Sequence, residues 1–495
     1  MTTDYSTRIA ALSPKKRALL EAQLRARGRE FNSFPLSFAQ QRLWFIDQLE
    51  PGNVAYNMPT AVRYRSPLDV PTLERALGEM VRRHETLRTT FASVGGQPVQ
   101  VIGPPAPFRL RVEDLRHLPA AERDACAARL EAEEAARPFD LRRGPLFRVR
   151  AARLAENDHV LVMTLHHIIS DGWSTGVLLR ELSALYEAFS RGLPSPLPEL
   201  PIQYADFAQW QRGWLQGGVL ERQLAYWKRQ LQGAEPLIRL PTDWPRPAAQ
   251  GYRGARLLLT LSPELSGAVK SLGQREGATL FMTMLAAFDA LLYRYTGQDD
   301  IVVGSPLAGR NQLETEGLIG FFVNMLALRT RVSDNPGFAE LLRRVRETTL
   351  DAYAHQEMPF EKLVDALQIE RNPSYQPLFQ VVFSLQNAEF NPGGAPPPAP
   401  DPRPSNSVAS PYDLILEVID GEEYLSVVLV YNPDLFADAT AVRLLEHYRA
   451  LLAGVTRDPG ARLIDIPLGA DGGGANPPAR ESALQTHLEA EEFDF

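Results

Sequence analysis

Residues 166–174, His166-His167-Ile168-Ile169-Ser170-Asp171-Gly172-Trp173-Ser174, stand between an apolar run from His159 to Leu165 and an amphipathic run from Thr175 to Phe189. That order predicts a strand, a polar turn and a helix, with polar groups gathered at a strand end facing a helix start. Successive side chains of a strand point to opposite faces, so at most one of His166 and His167 faces a given cavity. Two ionisable groups, a glycine and a helix N-terminus converge at this turn, which makes His167 a functional candidate and leaves His166 as a hydrogen-bonded core residue.

Strands and helices alternate on both sides of this stretch. Upstream, Ser37 to Leu49 spaces Phe38, Leu43, Trp44 and Leu49 at helical intervals, and Pro51-Gly52-Asn53 ends it. Tyr56 to Tyr64 reads as a strand, Asp69 to His84 as a helix with Leu73, Leu77 and Val81 on one side, and Leu87 to Phe91 as a strand. Leu146 to Leu154 and His159 to His167 form a strand pair about the turn Glu156-Asn157-Asp158. Downstream, a proline-rich segment from Leu193 to Pro201 leads to a helix from Tyr204 to Trp214, and the polar, proline-bearing stretch Leu240 to Gly254 is a crossing between two lobes. Beyond it come a strand (Ala255 to Leu261), two helices (Ser262 to Glu276 and Thr279 to Tyr295) and a strand (Ile301 to Ser305). Asp413 to Val418 and Leu425 to Tyr431 read as a strand pair, closed by a helix from Asp438 to Leu452. Asn391 to Ser407 holds seven prolines and two glycines and is expected to be an exposed loop. The fold class is α/β, a mixed sheet covered by helices in each of two lobes, since 495 residues exceed one compact core.

Composition narrows the function. A net charge of -8 with no long basic run speaks against nucleic acid as a partner. The single cysteine, Cys126, permits neither an internal disulfide nor a cysteine metal cluster. The N-terminus lacks the apolar core of a signal peptide, and no run approaches the roughly 20 apolar residues of a membrane span, so a cytoplasmic location is expected. No G-x-S-x-G elbow, phosphate-cradling loop or dinucleotide fingerprint supports hydrolase, nucleotide or nicotinamide chemistry. A metal could use His166, His167 and Asp171 together, but neighbouring strand histidines diverge and no further ligand lies nearby, so no metal is expected.

A neutral imidazole at His167, with a reference pKa of about 6.5, can accept a proton from an amine or hydroxyl as it attacks a carbonyl, or can position that nucleophile. Either role predicts acyl transfer. The motif holds no serine or cysteine nucleophile in a catalytic setting, so direct attack by the acceptor is simpler than a covalent acyl-enzyme.

HHIISDGWS resembles the HHxxxDG signature of condensation domains of nonribosomal peptide synthetases, in the superfamily of chloramphenicol acetyltransferase. Six further stretches resemble that family's ordered motifs: SFAQQRLWFIDQLEPGNVAYNMP from Ser37, RHETLRT from Arg83, YADFAQW from Tyr204, GLIGFFVNMLALR from Gly317, HQEMPFEKLVDAL from His355 and PLFQVVFSLQN from Pro377. Together they cover roughly residues 35 to 455. The resemblance implies two chloramphenicol-acetyltransferase-like α/β sandwich lobes in a V-shaped pseudo-dimer, at residues 35–240 and 241–468, flanked by a linker or docking helix (1–34) and a disordered acidic tail (469–495).

It further implies that His167 faces the centre of a tunnel where two carrier-bound phosphopantetheine arms meet, the chain itself binding no cofactor. His166 and Asp171 would be structural, Asp171 paired with an arginine such as Arg310 of SPLAGR. Gly172 would bring a backbone N–H to the reacting carbonyl at the helix start, and Trp173 and Ser174 would line or brace the turn. Both histidines are intact, which points away from the cyclising subtype, and the early motifs resemble the class that takes an L-configured or simple acyl donor.

No adenylation or carrier segment accompanies these motifs, so a free-standing, monomeric condensation enzyme served by donor and acceptor carriers in trans is expected. The tail SALQTHLEAEEFDF resembles short acidic docking peptides, with Leu484, Leu488, Phe493 and Phe495 as anchors for a partner's docking domain. Alternatives are ester formation or chain release with a free amine or alcohol, an acyltransferase that uses coenzyme A, and a non-catalytic platform that recruits a carrier or a tailoring enzyme.

Overall fold

A computed structural model describes residues 32–369, 372–387, 403–421 and 423–469. Residues 1–31 of the expected linker or docking helix (1–34) and the tail anchors Leu484, Leu488, Phe493 and Phe495 lie outside these described residues.

The first lobe begins with β1 (Ser33–Pro35) and the Phe38–Leu49 helix. Ser37 starts that helix by a reciprocal box: its Oγ accepts from the Gln40 N–H and the Gln40 side chain accepts from the Ser37 N–H, each at 3.1 Å. There follow β2 (Asn57–Tyr64), the Val70–Arg83 helix, β3 (Thr89–Val94), β4 (Gln97–Ile102), β5 (Arg111–Asp114), the Ala120–Ala136 helix, β6 (Phe147–Ala155) and β7 (Asp158–His166). Four of these strands form a sheet in the order β2-β7-β6-β5, and β1-β4-β3 form a separate three-stranded sheet. β2, at an edge, alternates between half-buried and exposed residues, whereas central β7 is buried almost throughout, as its run HVLVMTLH requires. β7 stops at His166, one residue before the expected end, because His167 opens a single 3-10 turn, His167–Ile169. The helix after it spans Gly172–Ser190, so Gly172, Trp173 and Ser174 belong to its first turn.

After the Tyr204–Trp214 and Gly217–Leu231 helices, residues 232–252 run without helix or strand, in line with the expected crossing. The second lobe holds β8 (Arg253–Thr260), the Pro263–Arg275 and Leu280–Thr296 helices, β9 (Asp300–Leu307), β10 (Asn324–Arg331), and the Phe338–Ala354 and Phe360–Leu367 helices. β11 (Val381–Asn387), β12 (Arg403–Ala409), β13 (Leu414–Asp420), β14 (Leu425–Tyr431) and the Asp438–Arg457 helix complete it. Its sheet has seven strands in the order β10-β9-β11-β13-β14-β8-β12. The loop expected over 391–407 is corrected at its end, residues 403–407, while residues 391–402 lie outside the described residues. Residues 403–409 are a strand paired antiparallel with β8, with a register shift between Ser405 and Val408. The open edge of β8 supplies a hydrogen-bonding ladder that outweighs local composition, and an edge position tolerates Pro404, which has no N–H to give.

Core membership does not follow chain order. Tyr226, Trp227 and Leu231, which precede the crossing, pack into the second core, while Ile319 and Phe321 return to the first. The loop carrying Ile319 and Phe321 therefore reaches the motif turn from the other half of the chain. The apolar Leu280–Thr296 helix is buried continuously from Met282 to Leu292, and no single helix among the described residues is long and apolar enough to cross a membrane.

Candidate active site

His166 and His167 part company where β7 breaks. The His166 ring is buried, lies 5.9 Å from Phe139 and 6.4 Å from Tyr56, and accepts the Ile168 N–H at Nδ1 at 3.1 Å. Burial, reinforced by the neighbouring His167, pushes its pKa down to about 3, so it is a neutral core residue. His167 places Nδ1 2.8 Å from the Ser170 carbonyl. A carbonyl can only accept, so Nδ1 carries the proton and Nε2 keeps the lone pair. Burial lowers the imidazole's pKa, against the opposing pull of the Ser170 carbonyl and Asp171, and the ring is neutral at pH 7. The Phe321 ring packs on it at 4.7 Å.

Asp171 is sealed from solvent. Its Oδ1 accepts from the Ser174 N–H at 2.8 Å, as the helix cap, and from Arg310 Nη2 at 3.2 Å. Its Oδ2 accepts the Phe322 N–H at 3.0 Å. Ser174 Oγ donates to Asp171 Oδ1 at 2.7 Å, with the Gly320 carbonyl in reach at 2.9 Å, and accepts from Arg310 Nη2 at 2.8 Å and the Gly320 N–H at 3.0 Å. Arg310 also donates to the carbonyls of Thr315 and Leu318 and lies over the Phe322 ring at 4.0 Å. Four donors from Ser174, Arg310 and Phe322 converge on this carboxylate, which caps one helix and pins the loop of the other half.

Gly172 lies in the first turn of that helix, where backbone N–H groups have no partner inside the helix, and a Cβ built there meets nothing within 4 Å. The space beside its backbone is open. Trp173 donates its indole N–H to the Glu316 carbonyl at 2.9 Å and so braces the same junction.

Sequence reasoning missed several groups that fix this geometry. The Tyr204 hydroxyl donates to the Phe321 carbonyl at 2.5 Å and meets Ser37 Oγ at 2.7 Å, and Gln40 Nε2 reaches the Ile168 carbonyl at 3.3 Å. Gly320 must be glycine, since an added Cβ would lie 2.0 Å from the Tyr204 ring. Arg42 pairs with Glu361 at 3.5 Å across the two halves. Burial opposes the Arg42 charge, but Tyr412 and Glu361 outweigh burial, and the guanidinium in turn favours neutral His167. Their only signal was membership in the quoted stretches, which assigns no role.

A cleft of about 70 Å³ lies between the two halves, and its lining includes Phe321, which packs on His167, and Phe322. Among the described residues no group of three or more His, Cys, Asp or Glu side chains is disposed to hold a metal ion.

The condensation domain family model matches residues 31–472. Two of the linear gramicidin synthase polypeptides of Brevibacillus parabrevis are similar to the chain, one 50% identical over 472 residues and the other 53% identical over 450 residues. Those matches take in 95% and 90% of this chain but 6% and 9% of the synthase polypeptides, so the chain spans less than a tenth of these curated relatives. It superposes on the X-domain solved in complex with OxyB from teicoplanin biosynthesis with a TM-score of 0.78 at 30% identity, covering 89% of this chain and 97% of that one. A sheet of four strands and a sheet of seven, joined at Asp171 and Arg310 in the chloramphenicol-acetyltransferase-like arrangement, carry the HHxxxDG turn between them. The chain belongs to the condensation domain family of nonribosomal peptide synthetases, acyltransferases that form peptide bonds between carrier-bound substrates.

Proposed function

We propose that this chain forms an amide by attack of an acceptor amine on a carrier-bound acyl or peptidyl thioester, with an L-configured or simple acyl donor. The observation that carries the reading is the orientation of His167. Its Nδ1–H is held by the Ser170 carbonyl, which leaves Nε2 to accept the proton of the attacking nitrogen. The amine lone pair forms the new C–N bond, the C–S bond breaks, and the proton passes by way of Nε2 to the leaving pantetheine sulfur. The Gly172 N–H, at the positive end of its helix, stabilises the carbonyl oxygen as charge develops there. Asp171 acts only through structure, because its oxygens are taken up by Ser174, Arg310 and Phe322.

Donor and acceptor carriers would bring both pantetheine arms in trans to a monomer, and the tail anchors Leu484, Leu488, Phe493 and Phe495 would dock a partner synthetase. The lobes would divide near residue 240, with the Gly217–Leu231 helix lent to the second core. Matched donor thioesters on carrier protein and on coenzyme A, offered with an aminoacyl acceptor carrier and followed by intact mass of that carrier, test the reading. Product from the carrier donor is expected, and transfer from coenzyme A alone contradicts it. The likeness to an X-domain solved with OxyB favours one second reading, a platform that recruits a tailoring enzyme. Carrier-to-carrier turnover excludes that as the sole role.

A further inference from the structure

The His167 imidazole has a backbone hold and a side-chain wall. The hold is the Ser170 carbonyl at Nδ1, from its own turn. The wall is the Phe321 ring at 4.7 Å, brought from the other half of the chain. Side chains alternate along residues 318–322: Ile319 and Phe321 enter the first core, while Leu318 and Phe322 pack with Tyr204 and Phe207. A shift by one residue would turn both aromatic rings to the wrong side. Gly320 lets the chain pass against the Tyr204 ring, where an added Cβ would lie 2.0 Å away, and its N–H is bound by Ser174 Oγ at 3.0 Å.

The Tyr204 hydroxyl adds a buried relay to these constraints. Ser37 Oγ accepts the Gln40 N–H as the cap of its helix and keeps its own proton to give. That proton goes to the Tyr204 hydroxyl at 2.7 Å, because the Tyr204 proton is committed to the Phe321 carbonyl at 2.5 Å, which can only accept. Tyr204 is buried, and burial holds its phenol protonated. The chain of hydrogen bonds from Ser37 through Tyr204 thus ends on the residue whose ring covers the imidazole. A ring packed there removes water from that face, which disfavours the imidazolium. It also restricts rotation of the imidazole about its bond to Ser170, and so fixes the direction of the Nε2 lone pair.

We propose that Tyr204 is a positioning residue: through the Phe321 carbonyl it clamps the Phe321 ring on His167 and so aims Nε2. The proposal rests on the reading of His167 as proton acceptor. The ionisable groups that bear on this imidazole are His166 and Asp171 of its own segment and Arg42 of the Phe38–Leu49 helix, and all three stay in the variants below.

Two measurements on wild type, Tyr204→Phe and Phe321→Leu test the clamp. The His167 titration is followed by NMR of protein labelled at histidine, its signal assigned by its loss in His167→Ala, and kcat and KM are taken from carrier-to-carrier transfer. Tyr204→Phe keeps the ring beside Gly320 and removes only the hydroxyl. Phe321→Leu keeps an apolar side chain in the first core and removes the flat face. Burial lowers the wild-type imidazole below its ordinary value of about 6.5, so a loosened wall admits water and moves the midpoint up toward that value in both variants. kcat is expected to fall about tenfold with KM within about twofold, since substrate still binds but the base is less well aimed. A tyrosine that served folding alone would lower the urea midpoint and leave the titration and the kcat of the folded protein unchanged. An unmoved titration midpoint or an unchanged kcat in both variants therefore overturns the proposal. His167→Ala that transfers at the wild-type rate overturns the proton-acceptor reading instead, and the titration then judges the clamp by itself.

Discussion

Two aspartates are equally shut off from water, one in each half, and their surroundings are opposite. Asp171 is met by the Ser174 N–H and hydroxyl, the Phe322 N–H and Arg310. Asp289, inside the Leu280–Thr296 helix, has no well-formed hydrogen bond on either oxygen, and the Thr330 hydroxyl beside it makes only a weak contact. Burial pushes the Asp289 carboxyl up to about 8, only partly offset by Thr330, so this group is a neutral acid at pH 7. Tyr448 faces it, with a phenol that burial and Asp289 together hold protonated. Burial alone therefore says nothing about charge. The donors aimed at Asp171 turn a buried carboxylate into the clasp between the two halves, whereas Asp289 is carried as a protonated group in a core.

The comparison breaks first at its paired member. Asp171→Asn leaves the Arg310 guanidinium buried without a counter-charge and turns an amide toward the Phe322 N–H, so unfolding in urea should show a loss of about 3–5 kcal/mol. An unchanged midpoint would remove the clasp. Gly320→Ala attacks the same clasp from the other half, because Tyr204, pinned by Ser37 and the Phe321 carbonyl, cannot swing away from the new methyl. A cost of about 1–3 kcal/mol is expected in the same assay.

The unpaired member gives a pH signature. A carboxyl whose folded pKa is raised contributes stability below its unfolded pKa and loses it as pH climbs toward the folded value. Between about pH 4 and pH 8, wild type should lose stability relative to Asp289→Asn by up to roughly 1.4 kcal/mol for each unit. Urea midpoints of both proteins at pH 5, 6.5 and 8 check this, and a constant difference would mean that Asp289 is ionised. The smallest effect belongs to Trp173→Phe, which gives up the bond to the Glu316 carbonyl and should cost about 1 kcal/mol with transfer rates close to wild type.

How much of this was legible in the sequence depends on distance along the chain. The strand, turn and helix about residues 166–174 follow from local patterning, and so does the divergence of the two histidines, although β7 ends one residue early. Arg310, 139 residues from Asp171, was reachable only through the family resemblance. The Phe322 N–H and both backbone groups of Gly320 were not reachable at all, since a main-chain donor leaves no mark in a sequence. β12 was lost for a related reason. Its partner is an edge about 150 residues earlier in the chain, and the prolines of the stretch 391–407 that holds its start argued for a loop. The cleft between the halves escaped because it is assembled from separate segments of the chain. Asp289 was visible as a lone acid in LFMTMLAAFDALLYRYT, a run apolar enough to announce a buried helix.

The central claim is that neutral His167 takes the acceptor's proton at Nε2. It is tested most directly by the single-turnover rate of product formation on the acceptor carrier, followed by intact mass from pH 5.5 to 8 for wild type and His167→Ala. Because burial lowers the imidazole's pKa, wild type should hold its rate from pH 8 down to about 6.5 and fall only below that. His167→Ala should lose about 10²–10⁴-fold in rate and the imidazole-dependent part of the acid limb with it. A His167→Ala protein that keeps wild-type turnover and the same acid limb would contradict the account.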